Sequence, residues 1–234
     1  DYSDEPGHRG LLVTEPVAYA AGVAKAHGCG IQPASHAIGD RGNRVVLDTY
    51  AEVLGDQAGG DHRWRIEHAQ VVAVEDLPRF AELRVTASMQ PTHATSDMPW
   101  AGDRVGEARL AGAYAWQSFA KLGVPLALGS DFPVESVDPR LGLYSAVTRQ
   151  DRDGKPPGGW LPDQKLSPEQ ALQGFTAGAA FASFDEESTG RLAPGFSADF
   201  VVLDADPLAV DASRLPELKV RSTWVDGRRV YAAE

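Results

Sequence analysis

Three side chains able to bind a metal ion stand where short apolar runs give way to loops. His36 closes the run that begins at Gly30, His68 closes the run that begins at Trp64, and Asp131 follows the run Leu126 to Gly129. Imidazole and carboxylate suit Zn²⁺ and its neighbours, and a catalytic zinc site needs only three protein ligands plus water. A carboxylate touching both the ion and its water can take a proton as that water attacks and pass it to a leaving group. Asp131 is therefore the candidate general base. Each residue also has a plainer reading. A lone histidine at a strand end more often serves packing, and Asp131 taken alone fits a helix cap or a loop carboxylate. All three on one rim of a sheet point instead to a metal site.

Other residues are weaker candidates. His93, Met98 and Trp100 fall in a polar stretch, residues 90–106, that reads as a long loop after a strand and could line a substrate pocket. Loop aromatics serve packing as often. Glu67 points away from His68 on its strand, which suits a salt bridge on the opposite face or a contact behind the ligands. Asp40 reads as a helix cap, His27 closes a helix, His8 falls in the mobile start of the chain, and His62 reads as a surface residue. There is no Gly-x-Ser-x-Gly elbow and no Gly-x-Gly-x-x-Gly turn, so neither a serine hydrolase nor a dinucleotide site has support.

Composition narrows the classes further. The formal charge of −11 over 234 residues argues against a nucleic-acid partner, and no basic block offers a membrane-surface patch. Cys29 is the single cysteine, which excludes an internal disulfide and a multi-cysteine metal site. No apolar run is long enough to span a bilayer and no signal peptide is visible, so the expectation is a soluble, cytoplasmic protein.

The elements that must position the candidates follow from periodicity. Helices are expected from Thr14, as N-cap, to His27, and from Asp40 to Leu54, the latter amphipathic with apolar residues at Val45, Val46, Leu47, Tyr50, Val53 and Leu54. Further helices are expected over residues 74–83, 107–122 and 141–147. Ser167-Pro168-Glu169-Gln170 is a strong helix start, running to about Phe184. Strands are expected at 30–35, 64–67, 85–89 and 126–129. The alternation implies a parallel sheet with helical crossovers. Beyond residue 188 the character changes to β-strands near Phe200, Ser222 and Val230, with Asp226-Gly227 as a hairpin turn.

Five motifs occur in order: His36-Ala37-Ile38-Gly39-Asp40, Arg65-Ile66-Glu67-His68-Ala69-Gln70, Gln90-Pro91-Thr92-His93, Gly129-Ser130-Asp131-Phe132-Pro133-Val134-Glu135, and Gly190-Arg191-Leu192-Ala193-Pro194-Gly195 leading to Asp199. Together they resemble the metal-dependent amidohydrolase superfamily, in particular the YtcJ-like branch that includes N-substituted formamide deformylases. The resemblance implies an α/β fold: the C-terminal half of a (β/α)8 TIM barrel, strands five to eight, over residues 1–187. Residues 188–234 would be the return into a small composite β-sandwich. On that mapping His36 ends strand five, His68 ends strand six, and Asp131 ends strand eight as ligand and base. His93 would lie near the substrate.

The sequence also departs from the family. It contains no His-x-His pair and no counterpart of the strand-four lysine. The expectation is therefore hydrolysis of a carbon–nitrogen, amide-type bond in a complete protein, with a divalent metal, zinc first. The partners are a small-molecule substrate and either an N-terminal half or a second copy covering the open barrel edges. The alternative is a non-catalytic fragment or binding module that keeps the fold without the full ligand set.

Overall fold

A computed structural model describes residues 1–233. Four short strands, β1 (Ala34–Ala37), β2 (Arg65–His68), β3 (Thr86–Met89) and β4 (Leu126–Leu128), form one sheet in chain order. The β1–β2 and β2–β3 pairs are parallel, as strands joined through helical crossovers must be. Helix α1 (Pro16–Gly28) precedes β1, α2 (Asp40–Leu54) joins β1 to β2, and α3 (Leu77–Glu82) joins β2 to β3. Between β3 and β4 lie α4 (Pro91–Asp97), α5 (Ala101–Val105), α6 (Glu107–Leu110) and α7 (Trp116–Lys121). After β4 come α8 (Pro139–Thr148), α9 (Pro168–Gln173) and α10 (Ala179–Ala182), then strands β5 (Phe200–Leu203), β6 (Val220–Val225) and β7 (Arg228–Ala232).

The chain divides into two compact units: Asp1–Met89 with Ser96–Leu126, and Gln90–Thr95 with Ala127–Glu234. In the first, α2 buries Val46, Leu47, Tyr50 and Leu54 on one face, the stripe its sequence spacing dictates. Trp64, Ile66, Phe80, Val85, Ala87, Trp116 and Phe119 complete the core. Phe80 and Phe119 meet with ring centroids 4.7 Å apart, and Tyr50 meets Trp64 edge-on at 4.9 Å. Full burial of each large apolar side chain contributes roughly 1.5–3 kcal/mol.

In the second unit α8 opens on Asp138, whose carboxylate accepts from the Arg140 N–H at 3.0 Å, with Pro139 at the first helical position. The capping box at α9 is present in full: Ser167 accepts from Gln170 N–H while Gln170 accepts from Ser167 N–H. A π-helical turn, Gly174–Gly178, links α9 to α10. Gly174 is required there, because a Cβ would stand 2.6 Å from the Leu128 side chain of β4. Strands β5, β6 and β7 form an antiparallel meander turned at Asp226-Gly227, as the sequence predicts.

Four expectations need correction. Residues 90–106 are not a long loop but contain α4 and α5; Pro91 starts a helix without losing a hydrogen bond, and both helices are too short to show a period. The helix expected over 107–122 is broken between α6 and α7, because Ala113 bridges to Val71 and pulls that stretch out of helical geometry. Glu15 and not Thr14 precedes α1, and of its residues only Val23 is buried. Asp40 is the first residue of α2 rather than its cap, which is Gly39. No helix among the described residues is long and apolar enough to cross a membrane.

Candidate functional site

The first unit carries two candidate ligands. His36 is the third residue of β1 and His68 the last of β2. Across a regular parallel pair, partnered residues share a face, so the register groups His36 with Glu67 and Ala37 with His68. His68 departs from that pleat. Its φ is +77° and that of Ala69 is +45°, left-handed values that cost on the order of 1–3 kcal/mol each outside glycine. The turn brings the His68 ring to His36, with centroids 4.5 Å apart and planes at 73°. Glu67 forms an ion pair with Arg65 at 2.5 Å.

Neighbouring main chain stitches the two strand exits together. Ala69 N–H donates to Ala37 C=O at 3.0 Å and Val71 N–H to Ile38 C=O at 2.9 Å. The buried Asn43 side chain on α2 directs its amide nitrogen at four carbonyls: Gly39 at 3.0 Å, Val71 at 3.2 Å, and Ala37 and Ile38 at 3.3 Å. On the far side Val72 N–H donates to Gly112 C=O at 3.0 Å. The approach there is so close that a Cβ on Gly112 would stand 1.7 Å from the Val72 oxygen. Behind β1, the hydroxyls of Tyr19 and Tyr50 meet Ser35 Oγ at 2.6 and 2.7 Å. Burial raises both phenol pKa values, so they act here as neutral hydrogen-bonding groups.

The second unit carries the other pair. His93, in α4, places Nε2 3.7 Å from the Asp131 carboxylate. The His93 side chain is 10% exposed and that of Asp131 is 38% exposed. Asp131 follows β4 with φ +58°, and its carbonyl accepts from Val134 N–H at 2.8 Å in a tight turn. It caps no helix; the cap of the next helix is Asp138. Met98 is partly buried after α4, and Trp100, 49% exposed, precedes α5. Both belong to the first unit, whereas His93 belongs to the second.

His62, His27 and Asp40 have partners of their own within the first unit. His62 Nδ1 accepts from Trp64 N–H at 3.0 Å, which leaves the proton on Nε2 to donate to Leu83 C=O at 2.8 Å. His27 packs edge-on against Trp64. Asp40 accepts from Arg41 N–H and lies 3.7 Å from the Arg109 guanidinium. Asn43 had no signal in the sequence beyond its place on a helix. Gln70, Tyr114 and Asp97 were equally silent, although Gln70 lies two residues from His68 within one motif. Within each unit the donors suit a divalent metal ion: the His36 and His68 imidazoles in the first, the His93 imidazole and the Asp131 carboxylate in the second.

Comparison with known proteins agrees with this donor chemistry. A sequence profile described as "Amidohydrolase family" matches residues 3–231. Putative amidohydrolase YtcJ of Bacillus subtilis (strain 168) is 35% identical over 230 residues, covering 98% of this chain and 43% of the relative. N-substituted formamide deformylase of Arthrobacter pascens is 30% identical over 203 residues, covering 85% and 36%. A crystal structure of an uncharacterized metal-dependent hydrolase from Pyrococcus horikoshii OT3 superposes with a TM-score of 0.79 at 36% identity, covering 90% of this chain and 41% of that one. The chain thus spans less than half the length of these relatives. With the profile matching almost from end to end, and with imidazole and carboxylate donors placed at or just beyond strand ends, the chain belongs to the amidohydrolase family.

Proposed function

We propose that the protein to which this chain belongs hydrolyses a carbon–nitrogen bond of amide type, with His36, His68 and Asp131 as ligands of one divalent metal ion, zinc first. The observation that carries the reading is the meeting of two imidazoles from adjacent parallel strands, reached through a strained turn at His68. Metal-dependent hydrolases among the similar structures, and a formamide deformylase among the relatives, support the same chemistry. The fold is then read as strands five to eight of a (β/α)8 barrel, with residues 188–234 as the return into a β-sandwich. An N-terminal half, or a second copy, would complete the rim. The acidic chain and its unpaired Cys29 suit a reducing, cytoplasmic setting.

When bound, a divalent ion polarises the scissile carbonyl and makes water a better nucleophile near neutral pH. Asp131 accepts the proton of the attacking water at a carboxylate oxygen and returns it to the departing nitrogen, so the amine leaves neutral. His93 Nε2 lies 3.7 Å from that carboxylate, within reach of electrostatic contact but beyond a direct hydrogen bond. Trp100 and Met98, with His93, would shape the substrate pocket, and a small uncharged amide would find aromatic and thioether surface there.

The test is metal content. The dialysed 234-residue chain should retain a zinc-like ion, and a His36→Ala/His68→Ala double variant should lose it. Unchanged stoichiometry in that variant would remove these residues from the ligand set. Hydrolysis of an N-substituted formamide by the complete protein, lost on Asp131→Asn with metal retained, would support the base assignment.

A further inference from the structure

Two residues beyond His68 the chain reaches Gln70, which enters a closed triangle of buried polar groups. Gln70 Nε2 donates to Asp97 Oδ2 at 2.9 Å and to the Tyr114 hydroxyl. The Tyr114 hydroxyl in turn donates to the same Asp97 oxygen. Gln70 and Tyr114 are buried, and Asp97 is partly so. The donors and acceptors are consistent: both amide protons are used, the phenol accepts one and gives one, and an ionised carboxylate accepts twice. Tyr114 also holds residue 70 by the main chain, its N–H donating to Gln70 C=O at 2.6 Å.

This grip lies beside the least comfortable backbone of the site. His68, Ala69 and Tyr114 all have positive φ, at +77°, +45° and +49°. Such conformations persist only where the surroundings over-determine them. Satisfying Gln70 alone would need only ordinary partners. A shared carboxylate, a phenol and a main-chain bond converging on one residue instead fix the direction in which the chain leaves β2.

We propose that Gln70, Tyr114 and Asp97 are positioning residues that hold the left-handed His68–Ala69 turn, and with it the His68 imidazole, in the orientation a metal ion requires. The inference rests on the reading of His68 as a ligand. None of the three touches the reacting atoms; each acts through the turn. Outer partners of metal ligands are known to act in this way, and losing one typically weakens metal binding about 10–100-fold.

The experiment uses the full 234-residue chain with ¹⁵N-labelled histidines. In metal-free protein, the His68 ring resonances and the ring-to-ring contact with His36 report the orientation directly; titration with Zn²⁺ alone reports affinity. Tyr114→Phe and Asp97→Asn should both shift the His68 resonances, weaken the His36 contact and lower Zn²⁺ affinity about 10–100-fold. Phe119→Leu, in the same core but outside the triangle, should lower thermal stability while leaving the His68 resonances in place. Unmoved His68 resonances in the two triangle variants would overturn the proposal, as would equal movement in Phe119→Leu. Moved resonances with unchanged Zn²⁺ affinity would uphold the positioning of His68 and overturn its reading as a ligand.

Discussion

Asn43→Asp changes one functional group and almost no volume, yet it should be among the most damaging substitutions near the site. The amide nitrogen of Asn43 faces the carbonyls of Ala37, Ile38, Gly39 and Val71 at 3.0–3.3 Å. Three of these already accept a main-chain N–H, from Ala69, Val71 and Asn43 respectively. Truncation by Asn43→Ala should therefore cost about 1–3 kcal/mol, since an amide offers two donors and each bond is worth roughly 0.5–1.5 kcal/mol net. The carboxylate is worse, because it sets an acceptor oxygen against four others in a buried position. Burial and those carbonyl dipoles disfavour the ionised form, raising the new group's folded-state pKa above its unfolded value. By linkage, the added penalty is absent below the ordinary carboxylate range and grows as pH rises through it. At neutral pH the total should reach about 3–5 kcal/mol, the range for leaving an uncompensated charge buried. Hydrogen exchange at the Ala69 and Val71 amides, which bond to Ala37 and Ile38, reads this opening locally. The reasoning is refuted if Asn43→Asp costs no more than Asn43→Ala at neutral pH, or if the gap between them stays constant on acidification.

Gly112→Ala should cost about 3 kcal/mol, an overpacking penalty at the upper end of the usual range, because the new methyl would overlap the Val72 oxygen and open the contact with the β2 exit; exchange at Val72 N–H checks it. Asp138→Ala should cost about 1 kcal/mol at neutral pH by loss of the α8 cap. The Arg140 hydrogen bond holds the Asp138 pKa below its ordinary value, against a smaller opposing effect of burial. The wild-type advantage should therefore be full above that ordinary value and fade as pH falls through the lowered one, which exchange at the α8 amides can follow. Trp100→Ala, at a half-exposed position, should leave stability within about 0.5 kcal/mol and, on the proposed function, reorder substrate preference in the complete protein; a uniform stability loss with unchanged ranking would assign Trp100 to packing.

The elements that the sequence revealed are those whose signal is local. The α2 stripe, the Ser167–Gln170 capping box and the Asp226-Gly227 turn each follow from residues within one or two turns of one another, and each is present. What stayed hidden depends on partners far along the chain. The helix expected over 107–122 breaks because Ala113 meets Val71, and nothing within 107–122 encodes Val71. The Gln70–Tyr114–Asp97 triangle draws on three segments separated by 17 to 44 positions. The histidines could be singled out because strand ends in an α/β sheet are where chemistry collects. The left-handed turn that directs His68 could not, since no Gly, Asn or Asp stands at residues 67–70 to mark it.

That turn explains why so much buried polarity gathers around one strand exit. A regular continuation of β2 would leave His68 on the face of Ala37, away from His36. Reaching His36 places His68 in a sparsely populated region, and Ala69 follows it there, at a cost on the order of 1–3 kcal/mol each. Three separate sets of bonds oppose that cost: the Ala69 and Val71 amides to β1 and its exit, the Asn43 amide across both exits, and the contacts of residues 112–114 with 70–72. Each backbone or amide bond contributes roughly 1 kcal/mol net, so no one of them suffices and together they do. The direction of His68 is therefore set by supports within the chain itself. Weakening a single support should relax the direction of His68 well before it unfolds the unit around Phe80 and Phe119, whose stability rests on apolar burial elsewhere.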